Sequence, residues 1–469
     1  MPTLRDALAR TRRQPLAAAL WCGAIIVILG GYAAVHGRLN VHYLDDAWST
    51  SFAYQFVRHG ITEDVIFRPP GTLSLVFGKT QAYVYALFLQ PTGWTRSHVH
   101  WVSTLLVFAS AATWNRIGRA MGLLPEPAAL LGLSLLLFQV SVQAANLARP
   151  DGLTLLLMSL SLLAFVRERM FLAGLLALIA FENHPIGLTV CFYGLGWAIH
   201  ARASLFPDAR TTWRRLAFLA LGGLCGLAWF LFANRATLSL HNLGFLFGDV
   251  HQFGEEKRNE WTYLHYYFKH CAPFEWLFFL AALAVYLARR LWRNDASPLW
   301  ILALVLASAL LARRQNGLYA LLAYPAFALV CVHALQRTIM LRLAFLALLL
   351  SFAWRTHQTW QERRSYHFEP TLNRVVATVP RDGLPVVGLC DFWFGFQERR
   401  FIPSAYQAPL SSLDLPAFYL VDSKIKPTGF QHLRPEIEAG WRGTTIARFP
   451  DSDKTEVTIS RFERKEVPR

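Results

Sequence analysis

Polar residues in this chain fall mainly in short gaps between long apolar runs. After a basic start carrying Arg5, Arg10, Arg12 and Arg13, apolar residues fill 16–35. Further runs cover 97–118, 127–145, 152–166, 171–183, 187–200, 214–234, 273–291, 297–312, 317–335 and 341–355. A bilayer core ~30 Å thick asks for about 20 residues at helical rise, so the pattern predicts about 11 transmembrane helices. The pieces 171–183 and 187–200 are short. They read as two spans broken at His184-Pro185, because proline disrupts a helix.

Two stretches before residue 97 follow another pattern. From Asp46 to His59, Trp48, Phe52 and Phe56 recur every fourth residue among Ser, Gln and Arg. That periodicity predicts an amphipathic helix lying flat at the membrane surface. A Pro/Gly stretch, Arg68-Pro69-Pro70-Gly71, precedes a second short interfacial helix. That helix runs from Lys79 to Leu89 and is ended by Pro91 and Gly93. Together they form a first outer loop over 37–96. The tail, 356–469, is Pro-rich and polar, with short β-like runs at 385–389, 417–421, 444–449 and 456–460. The fold class expected is an all-α polytopic membrane protein, 1–355, with interfacial helices and a small C-terminal α/β soluble domain, 356–469.

Composition supports this reading. The chain is 54% hydrophobic and 16% charged, where a soluble protein is about a quarter charged. The net charge of +16 would suggest nucleic acid in a soluble protein. Here the basic residues gather in alternate links: Arg116 and Arg119; Arg167 and Arg169; Arg202, Arg210, Arg214 and Arg215; Arg289, Arg290 and Arg293; Arg337 and Arg342. That is the positive-inside pattern, with lipid headgroups rather than nucleic acid as partners. A signal peptide has a shorter apolar region than 16–35, so the first helix is read as retained with its N-terminus in the cytoplasm. An odd number of spans then places the tail outside, in the periplasm of a bacterium with its inner membrane as host.

The six cysteines are scattered without CxxC spacing, so neither a zinc site nor a disulfide framework is expected. A Cys271–Cys390 bridge would require both to face an oxidising compartment. His241, His251, His265 and His270, with Glu255 and Glu256, match no tight metal-binding spacing. No cofactor is expected.

The polar interruptions on the outer side form a set: Asp45 and Asp46, Lys79, Arg149-Pro150-Asp151, Glu182-Asn183-His184-Pro185, the loop 235–272, and Arg313-Arg314-Gln315-Asn316. Carboxylates and cations on one membrane face suit a reaction between a hydroxyl and a lipid-linked phosphate. A carboxylate can take the hydroxyl proton, and Arg or Lys can neutralise the leaving phosphate. Simpler readings stand beside these. Asp45-Asp46 can cap the interfacial helix, Arg149–Asp151 can close a helix turn, and Lys79 can reach for headgroups. Arg313 and Arg314 can be interfacial anchors, and His184 can mark a helix break.

The order of these elements resembles the GT-C glycosyltransferases, nearest to the bacterial superfamily of protein mannosyltransferases and aminoarabinose transferases. Leu44-Asp45-Asp46-Ala47 matches that family's acidic pair, and Ala148-Arg149-Pro150-Asp151 its Ala-Arg-Pro-Asp/Glu element. Lys79-Thr80-Gln81-Ala82-Tyr83 keeps the Lys and Tyr of its Lys-Pro-Pro-Leu-Tyr segment without the prolines. Asn316-Gly317-Leu318-Tyr319 with Tyr324-Pro325 loosely resembles its late Arg-Tyr…Pro segment. The resemblance covers about 1–355. It implies inverting transfer of a sugar from a polyprenyl-phosphate donor to a glycan, lipid or protein acceptor. Asp45 or Asp46 would be the base or the group orienting the acceptor. By physical reasoning Lys79, Arg149 and Arg313/Arg314 would hold the donor phosphate, with Asp151 and His184 as further substrate contacts. A transporter or flippase of lipid-linked saccharide is the competing reading, and a non-catalytic envelope assembly protein a third. The chain shows no repeats, and its acidic pair lies at the surface rather than mid-membrane.

Overall fold

In the computed structural model the described residues are 21–39, 44–62, 65–66, 77–238, 273–311, 320–336, 338–364, 368–404, 409–423, 433–452 and 455–465. Within the described residues, each apolar segment of the sequence falls mainly on helix. Helix α1 is Trp21–Val35. The interfacial helices are α2 (Leu44–His59) and α3 (Lys79–Thr92). Then come α4 (Arg96–Ala120), α5 (Pro125–Leu137), α6 (Gln139–Ala145), α7 (Asp151–Val166) and α8 (Met170–Asn183). They are followed by α9 (Thr189–His200), the single turn α10 (Arg202–Leu205), α11 (Ala209–Ala233), α12 (Pro273–Ala288), α13 (Ser297–Leu311), α14 (Ala320–Leu335) and α15 (Ile339–Glu362).

Among the described residues, α11 and α15 are each long and apolar enough to cross a bilayer. Helices α5 and α6 meet that test only when taken together, across a bend of 66°. Several other apolar helices are shorter, with 14 residues in α8 and 12 in α9. The break between these two falls at His184-Pro185 as expected, and Pro185 opens a 3-10 turn over Pro185–Leu188. Exposed apolar side chains such as Ile26, Leu224, Leu277 and Leu350 cover the outside of the bundle. An apolar surface of this extent belongs against lipid.

In lipid no hydrophobic force drives helices together, and close backbone approach takes its place. Helices α8 and α11 pack in this way. A Cβ on Gly222 would lie 1.9 Å from the Phe171 carbonyl oxygen, and one on Gly174 would lie 2.1 Å from that of Leu219. Gly222 and Gly226 form a small-xxx-small stripe along α11. The bend between α5 and α6 is pinned from outside. Tyr32 Oη donates to the Leu136 carbonyl (2.9 Å) and Arg355 to that of Leu137 (2.8 Å). The buried Glu275 carboxylate accepts the Gln139 N–H (2.9 Å) and pairs with Arg355 (3.0 Å). This partnering satisfies backbone groups that lipid cannot.

Several of the basic links carry ion pairs. Glu126 pairs with Arg342 at 2.6 Å, Asp295 with His200 at 3.2 Å, and Glu168 with Arg215. Away from these pairs, Asp46 of α2 joins Arg96 of α4 to the Ala148 N–H, and Asn183 beside His184 donates to the Pro150 carbonyl. Helix α15 continues past residue 355, so the boundary expected there falls inside a helix.

The tail holds α16 (Phe368–Thr378), α17 (Arg434–Gly440) and a five-stranded sheet. Its strands are β1 (Val386–Gly388), β2 (Phe401–Pro403), β3 (Ala417–Ser423), β4 (Trp441–Ser452) and β5 (Thr455–Arg464), in the order β2-β1-β3-β5-β4. The β2-β1-β3 pairs are parallel and the β3-β5-β4 pairs antiparallel. The four expected strand runs fall on β1, β3, β4 and β5. Strand β2 was not expected, because three residues closed by Pro403 leave no periodic signal. Phe368, Leu372 and Val375 are buried along one side of α16. Phe418 stacks on Phe462 with ring centroids 5.3 Å apart.

Candidate functional site

The two adjacent aspartates of α2 point to different places. Asp46 is fully buried. Its Oδ2 accepts from Arg96 Nε (2.8 Å) and lies 2.9 Å from His100 Nε2, and its Oδ1 accepts the Ala148 N–H (2.7 Å). Both oxygens are thus engaged by α4 and by the segment before α7, and neither is needed to cap α2. Burial alone would push this carboxyl up. His100, Arg96 and the Ala148 N–H outweigh it and hold Asp46 well below the usual carboxylate range. Arg96 and His100 were not among the expected site residues. Their signal was the polar run Arg96-Ser97-His98 at the start of an apolar span, where charge requires a partner.

Asp45 keeps 15% of its side chain accessible and pairs with Arg149, which keeps 13%. Arg149 also donates from Nε to Asp151 Oδ2 at 2.7 Å. Local sequence sets this arrangement. Pro150 stands at the N-cap of α7 with φ −64°, holding Arg149 outside the helix, and Asp151 lies in the favourable first turn. Asn183 at the end of α8 donates to the Pro150 carbonyl (3.0 Å) and to Thr154 Oγ1 (2.8 Å), tying the Arg-Pro-Asp turn to the α8 break. His184 follows. Burial lowers its pKa to about 4, with Asp151 opposing and Arg149 adding to the shift. The ring is therefore neutral at pH 7, and its Nδ1 accepts the Ile186 N–H at 3.3 Å. Asp45, Arg149, Asp151 and His184 form one cluster built from three separated segments.

Lys79 is placed differently. Its side chain is 2% exposed, its ammonium lies 5.3 Å from the Phe52 ring centroid, and it donates to the Thr62 carbonyl at 3.3 Å. It joins α3 to α2 rather than reaching out to headgroups. The N-terminus of α3 is capped from a distance by Glu182, which is fully buried. Glu182 Oε1 accepts the Lys79 N–H (2.9 Å) and Asn234 Nδ2 (3.3 Å). Its Oε2 accepts the Thr80 N–H (2.9 Å) and the Thr80 hydroxyl. Gly78, at φ +84°, makes the turn into the helix and donates its N–H to the Glu182 carbonyl at 2.8 Å. Replacing Glu182 with Ala leaves buried donors unsatisfied. It is expected to cost about 1–3 kcal/mol, read as a lower unfolding midpoint in detergent, with Glu182→Gln recovering part of the loss.

Arg313, Arg314, Cys271 and the histidines expected between 241 and 270 lie outside the described residues. Among the described residues, no three His, Cys, Asp or Glu side chains are grouped to hold a metal ion.

The tail rests on the same face. Tyr54 Oη donates to Glu398 Oε1 at 2.6 Å, and Arg58 pairs with the same carboxylate. Gln397 donates to the Trp94 carbonyl (2.9 Å), and Glu369 accepts the Ser97 N–H (3.2 Å). Helix α3 also runs farther than expected, through Pro91 to Thr92, because a proline in the last turn forfeits only one bond there.

No protein-family model and no curated protein sequence matches this chain. Solved structures do. The crystal structure of ArnT from Cupriavidus metallidurans bound to undecaprenyl phosphate superposes with a TM-score of 0.65 at 14% identity, covering 94% of this chain and 98% of that one. The apo form of the same protein gives a TM-score of 0.61 at 13% identity, with the same coverage. Over nearly its whole length, then, this chain has the fold of ArnT.

Proposed function

We propose that the chain is a membrane glycosyltransferase that moves a sugar, with inversion, from a polyprenyl-phosphate donor to a hydroxyl of an envelope glycan, lipid or protein. The reading rests on the Asp45–Arg149–Asp151 cluster, placed on a fold whose solved neighbour was crystallised with undecaprenyl phosphate. Asp45 is the base and Asp46 its positioning neighbour, since Asp46 has both oxygens occupied in a buried site. Arg149 is the switch between the two halves of the reaction. Without donor it neutralises Asp45; an arriving phosphate competes for the same guanidinium and leaves the Asp45 carboxylate free to accept a proton. The acceptor oxygen then bonds to the anomeric carbon as its proton passes to Asp45. The bond from that carbon to the phosphate oxygen breaks, and polyprenyl phosphate leaves with the electron pair against Arg149. Arg313 or Arg314 is the second phosphate-binding cation, and neutral His184 with Asp151 frames the sugar. The transmembrane part runs to the end of α15, past the boundary expected at 355. The cluster and the tail, 356–469, face the periplasmic side of a bacterial inner membrane.

The test is to incubate purified chain in lipid nanodiscs with undecaprenyl-phosphate pentoses and hexoses and measure released undecaprenyl phosphate. Release coupled to a glycosylated acceptor supports the proposal. In sealed vesicles, movement of lipid-linked sugar between leaflets without release replaces it with transport.

A further inference from the structure

We infer that the C-terminal domain positions the reacting pair through a line of buried contacts from Phe368 to Ala148; only its effect on the reaction rests on the glycosyltransferase reading. Phe368, in the first turn of α16, is 4% exposed, and its ring centroid lies 5.0 Å from the Arg96 guanidinium carbon. Arg96, 1% exposed, donates to Asp46 Oδ2 at 2.8 Å. Asp46 in turn holds the Ala148 N–H at 2.7 Å through its other oxygen. Asp46 and Ala148 directly adjoin Asp45 and Arg149, so this line fixes the backbone on both sides of the reacting pair. Glu369 reinforces it by accepting the Ser97 N–H at the start of α4.

The physical basis is the cost of a buried guanidinium. Two charges out of water need close partners on every side. Asp46 supplies the anion for one edge of Arg96, and the negative face of the Phe368 ring attracts the cation from the domain side. The domain thereby completes a site whose charged residues belong to the membrane helices. Phe368 also stacks on Phe392, 6.2 Å away, so a role confined to the domain core has to be separated from positioning. Phe368→Leu keeps apolar volume and removes the ring face, whereas Phe368→Trp keeps a ring face.

Hydrogen–deuterium exchange on the full chain in detergent distinguishes the two roles. Phe368→Leu is expected to raise exchange of peptides spanning 144–152 about tenfold while β3 stays protected, and Phe368→Trp to stay within about twofold of wild type. Affinity for undecaprenyl phosphate falls in step with the exposure of 144–152. Unchanged protection of 144–152 in Phe368→Leu, an equal rise in β3, or Phe368→Trp behaving like Phe368→Leu each overturns the inference. If wild type does not bind undecaprenyl phosphate, the functional reading fails, while the exchange result still decides whether the domain positions the segment.

Discussion

Asp45→Asn is expected to lower sugar transfer by about 10²–10⁴-fold, the usual contribution of a positioned general base. The unfolding midpoint should hardly move. Asparagine preserves the shape of aspartate at the start of α2, and Arg149 keeps its bond to Asp151, so no buried charge loses its only anion. The loss should fall on the chemical step. Asn cannot accept the hydroxyl proton, and with Asp45 neutral the donor phosphate meets no competitor for Arg149. Donor affinity should therefore hold or rise as turnover collapses. Single-turnover rates with a polyprenyl-phosphate sugar, set against binding of undecaprenyl phosphate, separate the two effects. Full transfer by a folded Asp45→Asn protein would refute Asp45 as the base.

Asp46→Asn should behave in the opposite way. Its replacement leaves Arg96 and His100 buried without their carboxylate. If the new amide turns its oxygen toward them, its NH₂ faces the Ala148 N–H, donor against donor. Breaking a buried charge pair costs about 3–5 kcal/mol. The expected result is a large drop in unfolding midpoint or in folded yield, with transfer lost in proportion. The pH dependence follows from the sign of the shift. Folding depresses the Asp46 pKa, so its stabilisation is complete above the ordinary carboxylate range and is lost only as pH falls below it. Wild type should therefore lose this contribution in acid, and Asp46→Asn should show a flatter stability profile there. Equal midpoints for wild type and Asp46→Asn at neutral pH would refute the structural assignment.

The sequence pointed to the acidic pair but could not divide its labour. Neighbouring residues on a helix diverge by about 100°, so one aspartate faces Arg149 and the other turns inward. Which does which depends on Arg96 and His100, some fifty positions away. Apolar runs, the His184-Pro185 break and four strands were legible because periodicity and proline act locally. The surroundings of Lys79 were illegible for the opposite reason: Glu182 and Phe52, which enclose it, come from other elements. The Arg-Pro-Asp turn was readable because proline fixes its own backbone whatever surrounds it.

The spacing of the clamps around the first loop has a consequence for how the protein is made. Lys79 meets Glu182 across 103 positions, Asp46 meets Ala148 across 102, and Asp45 meets Arg149 across 104. Synthesis proceeds from the N-terminus at about 5–20 residues per second. The first loop therefore emerges seconds before its anchors exist. Until α7 and α8 have been made, Asp45 lacks Arg149 and the start of α3 lacks Glu182, while Asp46 can already meet Arg96 and His100 of α4. A ribosome-bound chain stopped before residue 148 would offer Asp46 its partners Arg96 and His100 but would leave Asp45 without Arg149 and Asp46 without the Ala148 N–H.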